Sequence, residues 1–357
     1  MNWEDRNGLE PDRFAAESSA PRELQFSFTG SGSEYFRIWI VNSLLNIVTL
    51  SIYSAWAKVR TLQYFYRNTR LDCATFDYHG SPMAILKGRA ILFVLFVGYQ
   101  IVMQFSPALG VLLALALAVM FPYLLVRSLR FRMANSSYRG LRFAFRGGDR
   151  EGYKVFLLWP VLTLLSLYLL APLAHQRFKR YQHNNTRFGT APFAIDATAG
   201  AFYRVYLLTA GLAFAFLLAG GVLVGMVTAT AHGKGGMYMA IGAIVMGMYL
   251  AFLLIGPFFQ AKMQNLVWNH TTLAPHRFRS NVKAGKLFVI TITNLILTVL
   301  TLGLFRPFAR VRSVRYRVES MTMLAAGELD TFLAGEREQV DALGDAAVDW
   351  YDIDIAL

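Results

Sequence analysis

Residues 90–126 read AILFVLFVGYQIVMQFSPALGVLLALALAVMFPYLLV and contain no charged side chain. A helix needs about 20 apolar residues to cross a hydrocarbon core roughly 30 Å thick, so this run holds two helices. Ser106-Pro107 divides it with the residues of a tight turn, which predicts a transmembrane hairpin. Residues 205–261 repeat the arrangement, with only His232 and Lys234 as chargeable groups and His232-Gly-Lys-Gly-Gly236 as a polar break. Three shorter apolar runs, 38–57, 155–174 and 287–305, are interrupted by Asn42, Pro160 and Asn294.

Composition agrees with a membrane protein. Of 357 residues 55% are hydrophobic and 16% charged, against roughly 25% charged in a soluble domain. The net charge of +13 sits beside the apolar runs and not in a basic globular module, so it points to a membrane surface and not to nucleic acid. The single cysteine, Cys73, excludes an internal disulfide framework and a cysteine-rich zinc site. Residues 1–24 are polar, lack the apolar core of a signal peptide and are read as a disordered cytosolic lead-in. Residues 25–323 are read as the membrane domain and 324–357 as an acidic cytosolic tail.

The apolar runs end in a common register. Ala55, Pro122, Pro172, Pro257 and Pro307 are each followed five residues later by Arg60, Arg127, Arg177, Lys262 and Arg312. Nine residues on come Tyr64, Phe131, Tyr181, Leu266 and Tyr316; thirteen on come Asn68, Asn135, Asn185, His270 and Ser320. Steps of four place these groups along one face of a helix leaving the membrane. Phe76, Phe143, Phe193 and Phe278 follow at twenty-one and open short alternating segments, matched at the start by Phe26-Ser-Phe28. These predict short extended pieces.

If every run returns to the side it left, of the 35 Lys and Arg only Lys234 falls on the far side. The positive-inside bias favours that arrangement. The expected fold is therefore an all-α integral membrane protein, two transmembrane hairpins plus three re-entrant or interfacial segments in a five-unit internal repeat. Seven transmembrane helices are the alternative.

Phe26-Ser-Phe-Thr-Gly30, Tyr35-Phe-Arg-Ile-Trp-Ile-Val-Asn42, Thr49-Leu-Ser-Ile-Tyr-Ser-Ala-Trp-Ala-Lys-Val-Arg60 and Tyr64-Phe-Tyr-Arg-Asn-Thr69 resemble the YjgN-like bacterial inner-membrane proteins. Phe76-Asp-Tyr78 and the acidic ending Asp349-Trp-Tyr-Asp-Ile-Asp-Ile355 are similar to that family too. The likeness covers nearly the whole chain after residue 24 and departs at Ser51, where glycine is expected. It implies a bacterial inner-membrane location and no established activity, substrate or catalytic residue; the apolar runs and the charge bias add the expectation of a multi-pass chain with both termini cytosolic.

The candidate sites follow from side-chain chemistry. Arg60, Arg127, Arg177, Lys262 and Arg312 form a basic face for anionic membrane lipid or for the acidic tail, because guanidinium groups bind phosphate and carboxylate in pairs of hydrogen bonds. The same pattern also fits ordinary interfacial anchoring. Residues 328–357 hold nine acids against Arg337 alone, which suggests docking of the tail on that face. Asn42, Thr49, Asn294 and Thr301 are the polar groups expected to line a cavity or to hydrogen-bond between helices. Gly221 and Gly225 form a GxxxG pair for helix packing, within the chain or between copies. No catalytic constellation, phosphate loop or metal-ligand spacing is present, so no enzyme activity, metal or cofactor is implied. The expectation is a pore or transporter-like protein for a small solute; the alternative is a non-transporting scaffold that binds anionic lipid or a cytosolic partner. Oligomeric state is not legible.

Overall fold

The computed structural model describes residues 22–230 and 233–344. The lead-in up to residue 21, His232 in the polar break and the tail beyond residue 344 lie outside the described residues.

Eleven short strands form one antiparallel sheet: β1 (Arg22–Gln25), β2 (Ser27–Phe28), β3 (Thr69–Leu71), β4 (Ala74–Tyr78), β5 (Ser136–Tyr138), β6 (Leu141–Phe145), β7 (Thr186–Phe188), β8 (Ala191–Ile195), β9 (Thr271–Leu273), β10 (His276–Ser280) and β11 (Met321–Ala325). From β2 to β11 each strand pairs with its neighbour in sequence. β1 then pairs with β11 in the register Leu24↔Met323, while β2 pairs with β3 in the register Phe28↔Thr69. Phe26 joins β1 to β2 and donates its N–H to Met321 O at 3.1 Å. Residues 22–28 therefore close the sheet into a near-barrel, which leaves few unpaired strand edges.

Period-two alternation sets the inner face. His276-Arg-Phe-Arg-Ser280 buries every second side chain and exposes Arg277 and Arg279. Tight turns join the strand pairs; Asp72-Cys73 and Arg139-Gly140 both take positive φ at two successive positions, the conformation whose twist suits a two-residue hairpin.

Helices leave the ring between the strand hairpins. α1 (Gly32–Val48) and α2 (Ser54–Arg67) form the first excursion; α3 (Pro82–Phe105) and α4 (Pro107–Ala134) form the second. The third runs through α5 (Asp149–Tyr153), a π turn (Lys154–Leu158), α6 (Trp159–Leu165) and α7 (Ala171–Asn184). α8 (Ala199–Thr230) and α9 (Gly233–Asn269) form the fourth, α10 (Ala284–Leu300) and α11 (Arg306–Glu319) the fifth, and α12 (Leu329–Gly344) follows β11. The π turn precedes Pro160, whose missing N–H leaves the preceding turn one donor short. Neighbouring excursions touch through α2–α3, α4–α5, α7–α8, α9–α10 and α11–α1, so the helical layer closes as the sheet does.

Among the described residues, α3, α4, α8 and α9 are the four helices long and apolar enough to cross a membrane. Their most apolar windows are at most 17% buried inside the protein, so lipid must cover the rest. The three shorter excursions are helix–turn–helix hairpins with matching turns. Leu50 and Ser51, Leu167 and Tyr168, and Leu302 and Gly303 take positive φ in pairs, and Leu50, Leu167 and Leu302 stand 89%, 86% and 95% exposed.

The sheet overturns the all-α reading. The alternating segments around Phe76, Phe143, Phe193 and Phe278 are not isolated extended pieces in an all-helical five-unit repeat; they are strands of one continuous ring. The seven-helix alternative fails on the same register. β2 pairs with β3, β6 with β7 and β10 with β11, so each short excursion re-enters the ring beside the strand it left.

Candidate functional site

Phe26, Phe76, Phe143, Phe193 and Phe278 place their rings on the inner side of the near-barrel, around an apolar cavity of about 330 Å³. Tyr138 and Phe188 complete a closed aromatic girdle. Centroid separations around it are 6.3 Å for Phe26–Phe76, 4.7 Å for Phe76–Tyr138, 6.1 Å for Tyr138–Phe188 and 4.9 Å for Phe188–Phe143. It continues at 6.3 Å for Phe143–Phe193, 6.2 Å for Phe193–Phe278 and 6.5 Å for Phe278–Phe26. These spacings suit offset and tilted ring contacts and leave the centre open.

The register explains the lining. Leu71, Tyr138, Phe188, Leu273 and Met323 stand sixteen residues after the five anchors, and all five line the cavity. The three hydroxyls of the lining are engaged: Tyr138 Oη donates to Leu71 O at 2.7 Å, Thr69 Oγ1 donates to Phe65 O at 2.8 Å, and Tyr66 Oη accepts from Ser136 Oγ at 3.3 Å. Burial pushes the Tyr138 hydroxyl up to about 12, so it stays neutral. No lining side chain is charged. The lining is mainly hydrocarbon and carries no carboxylate, ammonium, guanidinium, imidazole or thiol.

α12 closes the turn end of the ring. Leu329 and Phe332 enter the lining, and His276 meets Phe332 edge-on at 4.6 Å. Burial holds the His276 imidazole below its ordinary value. Glu336 Oε2 accepts from Thr190 N at 2.6 Å, Thr190 Oγ1 at 2.7 Å and Ala191 N at 3.0 Å, all at the β7–β8 turn. Arg139 binds Asp72 at 3.0 Å and also Asp330 of α12, while Arg337 donates to Arg139 O. The opposite mouth, toward the helices, is lined by Phe65, Tyr66, Trp268 and Val318 from the last turns of α2, α9 and α11.

The five stripe cations lie outside this cavity. Arg60, Arg127, Arg177 and Lys262 stand over the rings of Tyr53, Tyr123, Trp159 and Phe258 at 5.8, 5.2, 5.8 and 5.7 Å, within cation–π range. Arg312 donates to Asn294 Oδ1 at 2.9 Å. The residues thirteen after the anchors cap their helices: Asn68, Asn135, Asn185, His270 and Ser320 each bond the carbonyl four residues back. Tyr64, Tyr181 and Tyr316 donate to the carbonyls of Ser31, Gly148 and Lys283, tying each short hairpin's second helix to the start of its first.

Thr49 and Thr301 hold turns: each accepts the N–H four residues on, from Tyr53 and Phe305, and donates to the carbonyl four residues back. Asn294 is buried and donates to Ala309 O and Ser313 Oγ, locking α10 to α11. Asn42 is buried in α1 with no partner for Oδ1. Among the described residues a Cβ at Gly221 would meet no atom within 4 Å. Among the described residues no three His, Cys, Asp or Glu side chains converge as a metal requires.

The comparisons with known proteins fit a membrane setting. Residues 23–350 match the family model described as "Bacterial protein of unknown function (DUF898)". The protein named inner membrane protein YjgN of Salmonella typhimurium is 23% identical over 352 residues, covering 85% of this chain and 89% of that one. Its namesake in Escherichia coli strain K12 is 32% identical over 148 residues, covering 40% of this chain and 36% of that one. No solved structure matches.

Proposed function

This chain belongs to the DUF898 family of bacterial proteins, with relatives named as inner membrane proteins, and on the geometry of its ring we propose a transporter-like role for a small hydrocarbon-bearing solute. The solute passes between the bilayer and the cavity of the strand ring. The observation that carries this is the aromatic girdle: an uncharged cavity of about 330 Å³ inside a ring whose helix-side end is lined by Phe65, Tyr66, Trp268 and Val318. Ligand pockets run from roughly 300 Å³ upward, so the space suits a small molecule. The ring and both termini lie in the cytosol on this reading, because the basic residues cluster beside it.

Native mass spectrometry of the purified protein with added dodecanol tests the cavity. One bound molecule is expected, and filling the ring by Leu273→Phe together with Met323→Phe should remove it; retention unchanged in that variant overturns the reading. A second reading, a non-transporting scaffold on anionic lipid, is favoured by the exposed cations poised over aromatic rings. Flux of a dansyl-labelled fatty alcohol across proteoliposome membranes separates the two, since a scaffold gives none above empty vesicles.

A further inference from the structure

One face of α7 carries His175, Lys179 and His183 at successive helical turns. His175 Nδ1 lies 3.1 Å from Tyr206 Oη, and His183 Nδ1 lies 3.3 Å from Thr271 Oγ1. The His183 ring meets the edge of Trp268 at 5.8 Å, and Trp268 lines the helix-side mouth of the ring cavity. This row therefore rises from the mouth toward the helices.

Burial, with Lys179 as the lesser cause, pulls both histidines down to about 4, so neither carries charge near neutrality. Lys179 is the one cation of the row. Burial pulls its ammonium down as well, and its hydrogen-bond partner is Gln182 Oε1 at 3.4 Å. Among the described residues no carboxylate pairs with it. A half-buried ammonium without a counter-ion is costly, and an anion at that point removes the cost. The other four helices in the same register carry Leu62, Leu129, Gln264 and Val314 there, so the cation is no part of the shared framework.

We propose that the ligand of the ring is a single-chain amphiphile with an anionic head, its chain in the aromatic cavity and its carboxylate or phosphate on Lys179. The inference rests on the function proposed above and names its substrate class. A cavity of about 330 Å³ lies at the small end of ligand pockets, which favours one hydrocarbon chain over the two of a phospholipid.

The test compares dodecanoate, dodecyl phosphate and dodecanol on the full-length protein by native mass spectrometry. At least one of the two anions should be retained about tenfold better than dodecanol, with the better anion identifying the head group. Lys179→Gln should abolish the preference without abolishing dodecanol binding, and Lys179→Arg should keep it. In the wild-type protein, the preferred anion should protect Lys179 from acetylation where dodecanol does not, a readout that needs no variant. Equal retention of all three ligands, a preference that survives Lys179→Gln, or equal protection by anion and alcohol overturns this inference and leaves the cavity reading standing. Failure of all three to bind overturns both.

Discussion

Single residues at the helix–strand junctions set the ring. Asn68, Asn135 and Asn185 return a side-chain amide to the carbonyl four residues earlier, while their own carbonyls accept from Thr29, His79 and Arg146. Asn135→Ala removes the side-chain bond and should lower stability by about 1 kcal/mol, read as a lower melting temperature. Ser51 holds φ of +71° at the turn position where the fifth excursion has Gly303, so Ser51→Gly should relieve up to about 1 kcal/mol and raise that temperature. Tyr138 illustrates linkage to pH. Its hydroxyl sits at about 12 when folded against about 10 when exposed, so the folded chain keeps a proton that the unfolded chain releases between those values. Its contribution is complete below pH 10 and is lost as pH rises toward 12. Tyr138→Phe should flatten the alkaline arm of the stability profile and take one tyrosine out of the late-titrating group of Tyr64, Tyr138 and Tyr181 in tyrosinate absorbance.

Among the elements, α12 holds the stopper position. Its apolar side reaches the cavity through Leu329 and Phe332, and its anchor is one carboxylate, Glu336, which satisfies two backbone N–H groups and a hydroxyl at the β7–β8 turn. Glu336→Ala leaves the Thr190 and Ala191 N–H groups without their acceptor, at a cost of about 2–4 kcal/mol, while the Thr190 hydroxyl keeps Gln339. Trypsin cleavage after Arg337 should accelerate accordingly, and Glu336→Gln, which keeps an acceptor, should be milder. Among the described residues the ion pair of α12 runs from Asp330 to Arg139, at a strand turn of the ring. Acidity in the sequence does not reveal this, because the same charges describe a solvated segment and a docked helix equally well.

At the scale of the whole molecule, topology is the consequence to check. Every excursion starts and ends on one closed sheet, so single cysteines at Asn184 and Asn265 in a Cys73→Ser background should share a compartment. With the ring in the cytosol, neither reacts with an impermeant maleimide in intact cells, and both react once the membrane is opened. Labelling of either from outside refutes the proposed orientation.

The sequence by itself determined the long apolar helices, the register of aromatic, basic and capping residues, and the likeness to an inner-membrane family. Those signals are local: hydropathy over some twenty residues and helical steps of four survive without neighbours. Phe76, Phe143, Phe193 and Phe278 were visible as a periodic set, and so were the short alternating segments around them. That they form strands of a ring was decided only by tertiary structure. Strands of two to five residues have no stability alone, and closure depends on Leu24 meeting Met323 across nearly the whole chain. The cavity is equally non-local. Tyr138, Phe188, Leu273 and Met323 become its wall only when five separate excursions return to one sheet.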